Sequence, residues 1–231
     1  HTMKACADLG HDVALATTAE PEAAALDGLT LASRFRLDQM PRSDTTLPPA
    51  TRLQARFRSF WGVPEGHIAA LSDVVTSWRA DAAIIVGLDV LPYFPALSGV
   101  VRVWYAADEW VWHHLSQVRA ADRATWSHVK SAAIKGVYER AHASAIDRAW
   151  VVSDNEQRAM RWLAGVRQVD VLPLGVDSAF FRPEPVPFEA QTAVFWGRLD
   201  FGPNVQALEW FFARVWPLVR QAAPLAGRQI A

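Results

Sequence analysis

DRAWVVSDNEQRAMRWLAGVRQVDVLPLGVDSAFFRP, residues 147–183, is the stretch whose reading decides the fold. Val151-Val152-Ser153-Asp154 reads as an apolar strand running into a polar turn. Asp154 stands where a helix N-cap belongs, because a short carboxylate can accept from the free N–H groups of a first helical turn. A helix over 155–163 is expected next, then a strand over 169–172. Pro173, with no ladder donor, ends that strand. Gly175-Val176-Asp177 turns the chain away, and Pro183, Pro185 and Pro187 make a stiff connector. TAVFWGRLDFGPN, residues 192–204, then reads as a strand over 192–196, a glycine turn and the start of a helix over 204–220.

The same alternation extends upstream. A helix over 2–9 offers Met3, Ala5, Cys6 and Leu9 for burial, and Gly10 ends it as a C′ glycine. A strand is expected over 12–18. Residues 19–50 are irregular, with one short strand near 29–37, since a stretch this long is seldom plain loop. The segment 51–60 reads as an amphipathic helix with Leu53, Phe57 and Phe60 inward, and 67–79 as another helix. Ala82–Val86, AAIIV, is apolar throughout, as a strand covered on both faces must be. A strand over 100–105 and a helical region over 116–146 follow. In the latter Ile134, Val137, Tyr138, Ala141 and Ala145 trace one face. Helices alternating with apolar strands specify an α/β protein with a parallel sheet. Polar and glycine residues gather at the strand ends: Thr17-Thr18, Gly87 to Asp89, Asp108-Glu109, Ser153-Asp154 and Gly197-Arg198. In open parallel sheets the ligand crevice lies at that edge.

Composition removes several classes of function. A net charge of −1 argues against nucleic acid or an anionic membrane as the main partner of the whole chain. The single Cys6 rules out a disulfide framework and a cysteine-based zinc site, and Cys6 itself reads as an inert core thiol. No histidine pair has zinc spacing, so no metal site is expected. No apolar run reaches the roughly 18 residues that span a bilayer, and a cytoplasmic protein is the default expectation. His1 begins inside a helix with no strand before it, and that absent strand would be central in a doubly wound sheet. The expectation is an incomplete reading frame that is poorly folded when expressed alone.

VVSDNEQRAM, LPLGVDSAFFRP and VFWGRLDFGPNVQALEWFFARVWP, in this order, resemble the middle of a GT-B glycosyltransferase of family 4. The resemblance implies a Rossmann-like parallel sheet with flanking helices, the GT-B N-terminal domain without its first strand, over 1–183. It implies a linker over 184–191 and the first βα unit of a second, donor-binding Rossmann-like domain over 192–231. It implies transfer of a sugar, with retention, from a nucleotide-diphosphate donor to a sugar or lipid-linked hydroxyl acceptor. No cofactor and no protein-bound metal enter that reaction, and nucleic acid has no part in it. Peripheral contact with the inner face of the membrane is left open for the intact protein. The rival readings are a non-catalytic α/β binding module and a sugar-nucleotide epimerase.

Individual residues carry the chemistry. Asp108 and Glu109 follow an apolar strand, where adjacent carboxylates can orient an acceptor hydroxyl or balance oxocarbenium-like charge. The bland alternative is a solvated acid pair or an N-cap. The family's histidine near this position is absent, and His113 and His114 lie slightly downstream. Trp110, His113 and Ser153 are acceptor-cleft candidates, with Trp110 and Trp112 able to stack on a sugar. Gly197 and Arg198 lie between a strand and a helix, where glycine allows close backbone approach and arginine offers a fork for phosphate. The resemblance places the donor diphosphate there. The alternative pairs Arg198 with Asp200. Asn204 is expected as the N-cap of the next helix, Pro217 as its kink, and Val205, Leu208, Phe212, Val215, Trp216 and Val219 as its core stripe. Glu139 reads as structural, paired with an arginine.

Overall fold

The computed structural model describes residues 2–119, 122–178, 180–183 and 193–222. The chain divides into two compact units, residues 1–175 and 176–231. The first is an α/β, Rossmann-like unit. Its elements are α1 (Thr2–Asp8), β1 (Ala14–Thr17), β2 (Ser33–Arg36), α2 (Arg52–Phe60), α3 (Glu65–Ser77), β3 (Ala82–Val86), β4 (Val101–Ala107), α4 (Trp110–Ser116), α5 (Trp126–His142), β5 (Arg148–Val151), α6 (Asp154–Ala159) and β6 (Val169–Val171). β1 pairs with β2, and β3-β4-β5-β6 form a second sheet in that order; every pair is parallel.

The two sheets share a core. Ala16 of β1, Phe35 of β2 and Ile85 of β3 all pack against a group containing Leu37, Ile68, Val74 and Tyr93. A larger group joins the four-stranded sheet to its helices through Phe57, Phe94, Trp104, Tyr138, Val151, Met160 and Val169. β3 has a strand neighbour on one side only among the described residues. Separately, its AAIIV run is not covered on both faces as expected: burial alternates along it, leaving Ile84 and Val86 exposed, Val86 at 61%.

Polar chemistry accounts for the departures from the expected pattern. Thr51 caps α2 in a reciprocal box with Gln54, the arrangement that satisfies two orphan backbone donors at once. Gln54 also donates to the Ala141 carbonyl at 2.9 Å. This turns Gln54, Phe57 and Arg58 inward and leaves Leu53 and Phe60 exposed. The helical region expected over 116–146 is shorter: α4 has ended at Ser116, and α5 runs only over Trp126–His142 with single turns of tighter helix at either end. Between α4 and α5 the Thr125 hydroxyl accepts from the Arg119 N–H at 2.9 Å and donates to the Asp122 carbonyl at 2.7 Å, competing with the helical ladder. Ser153, not Asp154, caps α6, accepting from the Glu156 N–H at 3.3 Å. Ser-x-x-Glu is the sequence signature of a capping box, and Asp154 is the first helical residue. α6 widens into a π turn over Met160–Ala164 and ends at Gly165, whose φ of 78° suits a left-handed C-cap. No residue of α1 is buried; Met3 and Cys6 are half-buried, and Ala5 and Leu9 are exposed.

In the second unit the described residues begin, after 176–178 and 180–183, at Ala193. Most of the proline connector and Thr192 lie outside them, as does LAGRQIA at 225–231. Ala193 makes a single bridge and Val194, Phe195 and Trp196 form no strand. A strand needs a neighbour to take its backbone groups, and no other strand is present in the described part of this unit. α7 (Gly202–Trp210), a π turn (Phe211–Val215) and α8 (Trp216–Ala222) follow one another without a break. Pro217 does not shorten the run, because residue 213, whose carbonyl its ring would crowd, lies in the π turn. The expected core stripe is not buried: no side chain of these helices is.

Candidate site at the carboxyl end of β4

β4 does not end like an ordinary strand. Its pairing with β5 slips between Tyr105 and Ala107, and Ala107 has a φ of 57°. A left-handed residue that is not glycine costs free energy and persists where the surroundings hold it. Bulges at strand ends re-aim the side chains that follow. Here Asp108 faces solvent, and its N–H is held by the Ala106 carbonyl at 2.7 Å. The neighbouring end of β3 is pinned from inside. The Trp104 indole N–H donates to the Gly87 carbonyl at 2.7 Å, and the Tyr138 hydroxyl to the Leu88 carbonyl at 2.9 Å.

The two adjacent carboxylates are separated by this geometry. Glu109 is 1% exposed and is the N-cap of α4, accepting from the Trp112 N–H. Glu139 of α5, wholly buried, interacts with it side chain to side chain. Glu109 Oε1 and both Glu139 carboxyl oxygens meet no donor. A proton shared between the two carboxyls would supply the missing donor. Burial, and then the charge of Glu109, push the Glu139 carboxyl up to about 9. Burial also raises Glu109, against the pull of the Trp112 N–H. Two carboxyls in one buried place cannot both ionise. The arginine expected beside Glu139 is not there: the cation that acts on it is Lys135. One turn of helix sets that partner, since residues four apart share a face.

Lys135 links this pair to the aromatic candidates. Its ammonium lies 4.7 Å from the ring centre of Trp110 and 5.9 Å from that of Trp61, and burial lowers its pKa. Trp110 meets His113 edge-on at 5.4 Å, and His113 meets His114 at 5.5 Å. His114 and His128 face each other Nδ1 to Nδ1 at 3.2 Å, so one of the two donates. Burial, with Lys135 and the other two imidazoles, lowers the His114 pKa and favours the neutral ring that can accept. Trp110 and His113 are thus brought together beside Asp108-Glu109. Ser153 is committed to capping α6, its hydroxyl 3.2 Å from Glu156 Oε2. Among the described residues no group of three potential ligands could hold a metal ion.

Sequence reading missed Ala107 and the Glu109–Glu139 pairing. The strained position carries no glycine to announce it, and the two glutamates are thirty residues apart. Lys135 had a signal, as it lies four residues before Glu139 on one helix face.

Gly197 and Arg198 lie in the second unit and form a closed turn. The Arg198 fork meets Asp200 twice, Nε to Oδ1 at 2.9 Å and Nη2 to Oδ2 at 2.6 Å. This contact holds the guanidinium pKa up and the carboxyl down. Asn204 is not the N-cap of α7; Phe201 occupies that place. Asn204 instead sends its amide to the Arg198 carbonyl at 2.9 Å. A Cβ at Gly197 would lie 2.9 Å from that amide and from the Phe195 ring, so a side chain here would have to displace both.

Comparisons with protein-family models, with curated proteins and with solved structures find no match to this chain.

Proposed function

We propose that the chain belongs to a retaining GT-B glycosyltransferase, in which Asp108 faces the acceptor and Gly197-Arg198 receives the donor diphosphate. The observation that carries the reading is the strained, bulged end of β4, which presents Asp108 to solvent at the edge where parallel sheets bind ligands. The ordered resemblance of three segments adds to it. In this reading Asp108 orients the acceptor hydroxyl or balances positive charge on the transferred sugar. Glu109 is a positioning residue: it is buried, caps α4 and fixes where Asp108 and Trp110 stand. Trp110 offers a ring to a sugar face, with Lys135 behind it. Arg198 would exchange Asp200 for the diphosphate, a charge-assisted contact of the same bidentate kind.

The second reading is a non-catalytic α/β binding module, favoured by one observation: Asp200 already occupies the Arg198 fork. Titration of the intact protein with uridine and guanosine diphosphates, followed by a sugar-transfer assay on Asp108→Asn, separates the two. Diphosphate binding with turnover lost in Asp108→Asn supports the transferase. Absence of binding to any nucleoside diphosphate removes it.

A further inference from the structure

α4 and α5 lie side by side, and the rungs between them are largely polar. Glu109 faces Glu139, Trp110 faces Lys135, and His114 faces His128. Val111 lies against Gly136. Numbers rise along α4 as they fall along α5, so the two helices run antiparallel. His128, Lys135, Glu139 and His142 recur at spacings that keep them on one stripe of α5. The inward turn of this stripe overturns the expectation that Ile134 and Val137 share the buried face of Tyr138. Both are exposed, and Glu139 and His142 take the inward space.

The last rung is a pair of metal-binding side chains. His114 and His128 approach Nδ1 to Nδ1 at 3.2 Å, with ring centres 5.5 Å apart. Two nitrogens each ~2.0–2.1 Å from one zinc ion stand roughly 2.9–3.4 Å apart, for angles between a right angle and tetrahedral. The pair already has that bite. Turning each ring about χ2, a torsion with a broad minimum, aims both lone pairs at one ion. A proton on one Nδ1 makes the same separation a hydrogen bond. On metal binding that proton moves to Nε2 of its own ring, so a neutral pair releases none. His114 is held toward the neutral form that ligates, by burial first and then by Lys135, His113 and His128. Lys135 is the charge that opposes a dication here, and the faces of Trp110 and Trp61 hold its ammonium. Both imidazoles are half-buried, which leaves the outer coordination positions to water. The expectation of no metal site rested on spacing along the chain. These two ligands come from two helices, fourteen residues apart.

We propose that His114 and His128 form a two-histidine clip for a late divalent transition metal, completed by water, that fastens α4 to α5. Imidazole suits zinc, nickel and copper, whereas magnesium and calcium take oxygen ligands. The clip holds the helix that begins at Trp110 against the helix that carries Glu139. It stands on the geometry of the two rings and is independent of the reaction assigned to the sheet edge.

Calorimetric titration of the full chain with zinc chloride, with thermal melts alongside, tests it. One zinc ion per chain is expected, and a higher melting temperature, because the ion binds the folded state. Magnesium at the same concentration should give neither. His114→Gln and His128→Gln should each weaken zinc binding at least about tenfold, which even an outer partner of a ligand contributes, and should lose the rise in melting temperature. His11→Gln and His67→Gln, elsewhere in the fold, should leave both readings unchanged. Each variant is compared with its own melt in chelator, so a change in starting stability does not hide the result. A parent that binds no zinc overturns the proposal. So does binding that survives both clip variants, or binding lost in His11→Gln or His67→Gln, which would place the ion elsewhere.

Discussion

The end of β4 and the Gly197–Asn204 turn are both polar turns between an extended segment and a helix, and they are built in opposite ways. At β4 the turn is held from below. A buried glutamate caps the helix, a second buried glutamate faces it, and a left-handed alanine is kept in place by what surrounds it. At Gly197 every partner comes from the turn itself, and Arg198 remains 79% exposed. A turn closed on its own residues can open without disturbing anything else. A turn wired into two helices cannot, and it holds its exposed residue, Asp108, in one place. The difference teaches where rigidity and where exchange are available: a carboxylate held in place at one, a guanidinium able to trade its internal partner at the other.

The largest expected effect breaks the comparison at its rigid side. On the transferase reading, Asp108→Asn should reduce sugar transfer by roughly 10²–10⁴-fold, the usual contribution of a positioned acid or base, with donor affinity kept. Equal turnover in parent and variant would return Asp108 to an ordinary solvated loop acid.

At the exchangeable turn, Arg198→Ala should weaken nucleoside diphosphate binding by about 10–100-fold. Asp200→Asn, which frees the fork, should tighten it. Both changes should leave the melting temperature in place, since exposed pairs add little. Calorimetric titration reads the first effect and a thermal scan the second. Tightening by Asp200→Asn is the sharper test, because simple damage cannot produce it.

The buried glutamates give the rigid turn a pH dependence with an unusual sign. The folded-state pKa of Glu139 lies above its ordinary value, so the folded chain keeps a proton that the unfolded chain releases. The pair's contribution to stability is therefore greatest below the ordinary glutamate value and declines as pH rises from there toward about 9. The slope is about 1.4 kcal/mol per pH unit for one retained proton. Chemical denaturation between pH 5 and 9 measures it. Glu139→Gln, neutral at every pH and able to donate to Glu109, should flatten the curve and raise stability at pH 8. The same pH slope in the parent and in Glu139→Gln would show that the pair retains no extra proton.

The smallest effect concerns Ala107. Ala107→Val should cost about 1–3 kcal/mol, because a β-branched residue resists the left-handed region. Ala107→Gly should be neutral or slightly stabilising. If both variants melt with the parent, the backbone at this position is not strained.

Apolar strands and their alternation with helices were readable because burial on two faces leaves continuous runs such as Trp150-Val151-Val152. The short β2 within 29–37 was readable on loop length alone. Helix ends were less legible. Asp154 and Ser153 are both good caps, and Glu156, three residues after Ser153, decides between them. The inward face of α5 was read by apolar spacing, which cannot foresee a helix that buries Glu139 and exposes Val137. Nor can local reading foresee that Glu109 turns in while Asp108 turns out. That division depends on a left-handed alanine and on a partner thirty residues away.

β3 has one more consequence. Among the described residues no strand pairs with its other side, which is five residues of Ala-Ala-Ile-Ile-Val with no charge to turn away a visitor. Natural edges are usually blunted by lysine, proline or a bulge. In a concentrated sample this edge is a growth face. Turbidity should appear after a lag, the lag should shorten when a trace of aged protein is added, and Ile84→Lys should lengthen it without touching the carboxyl end of the sheet.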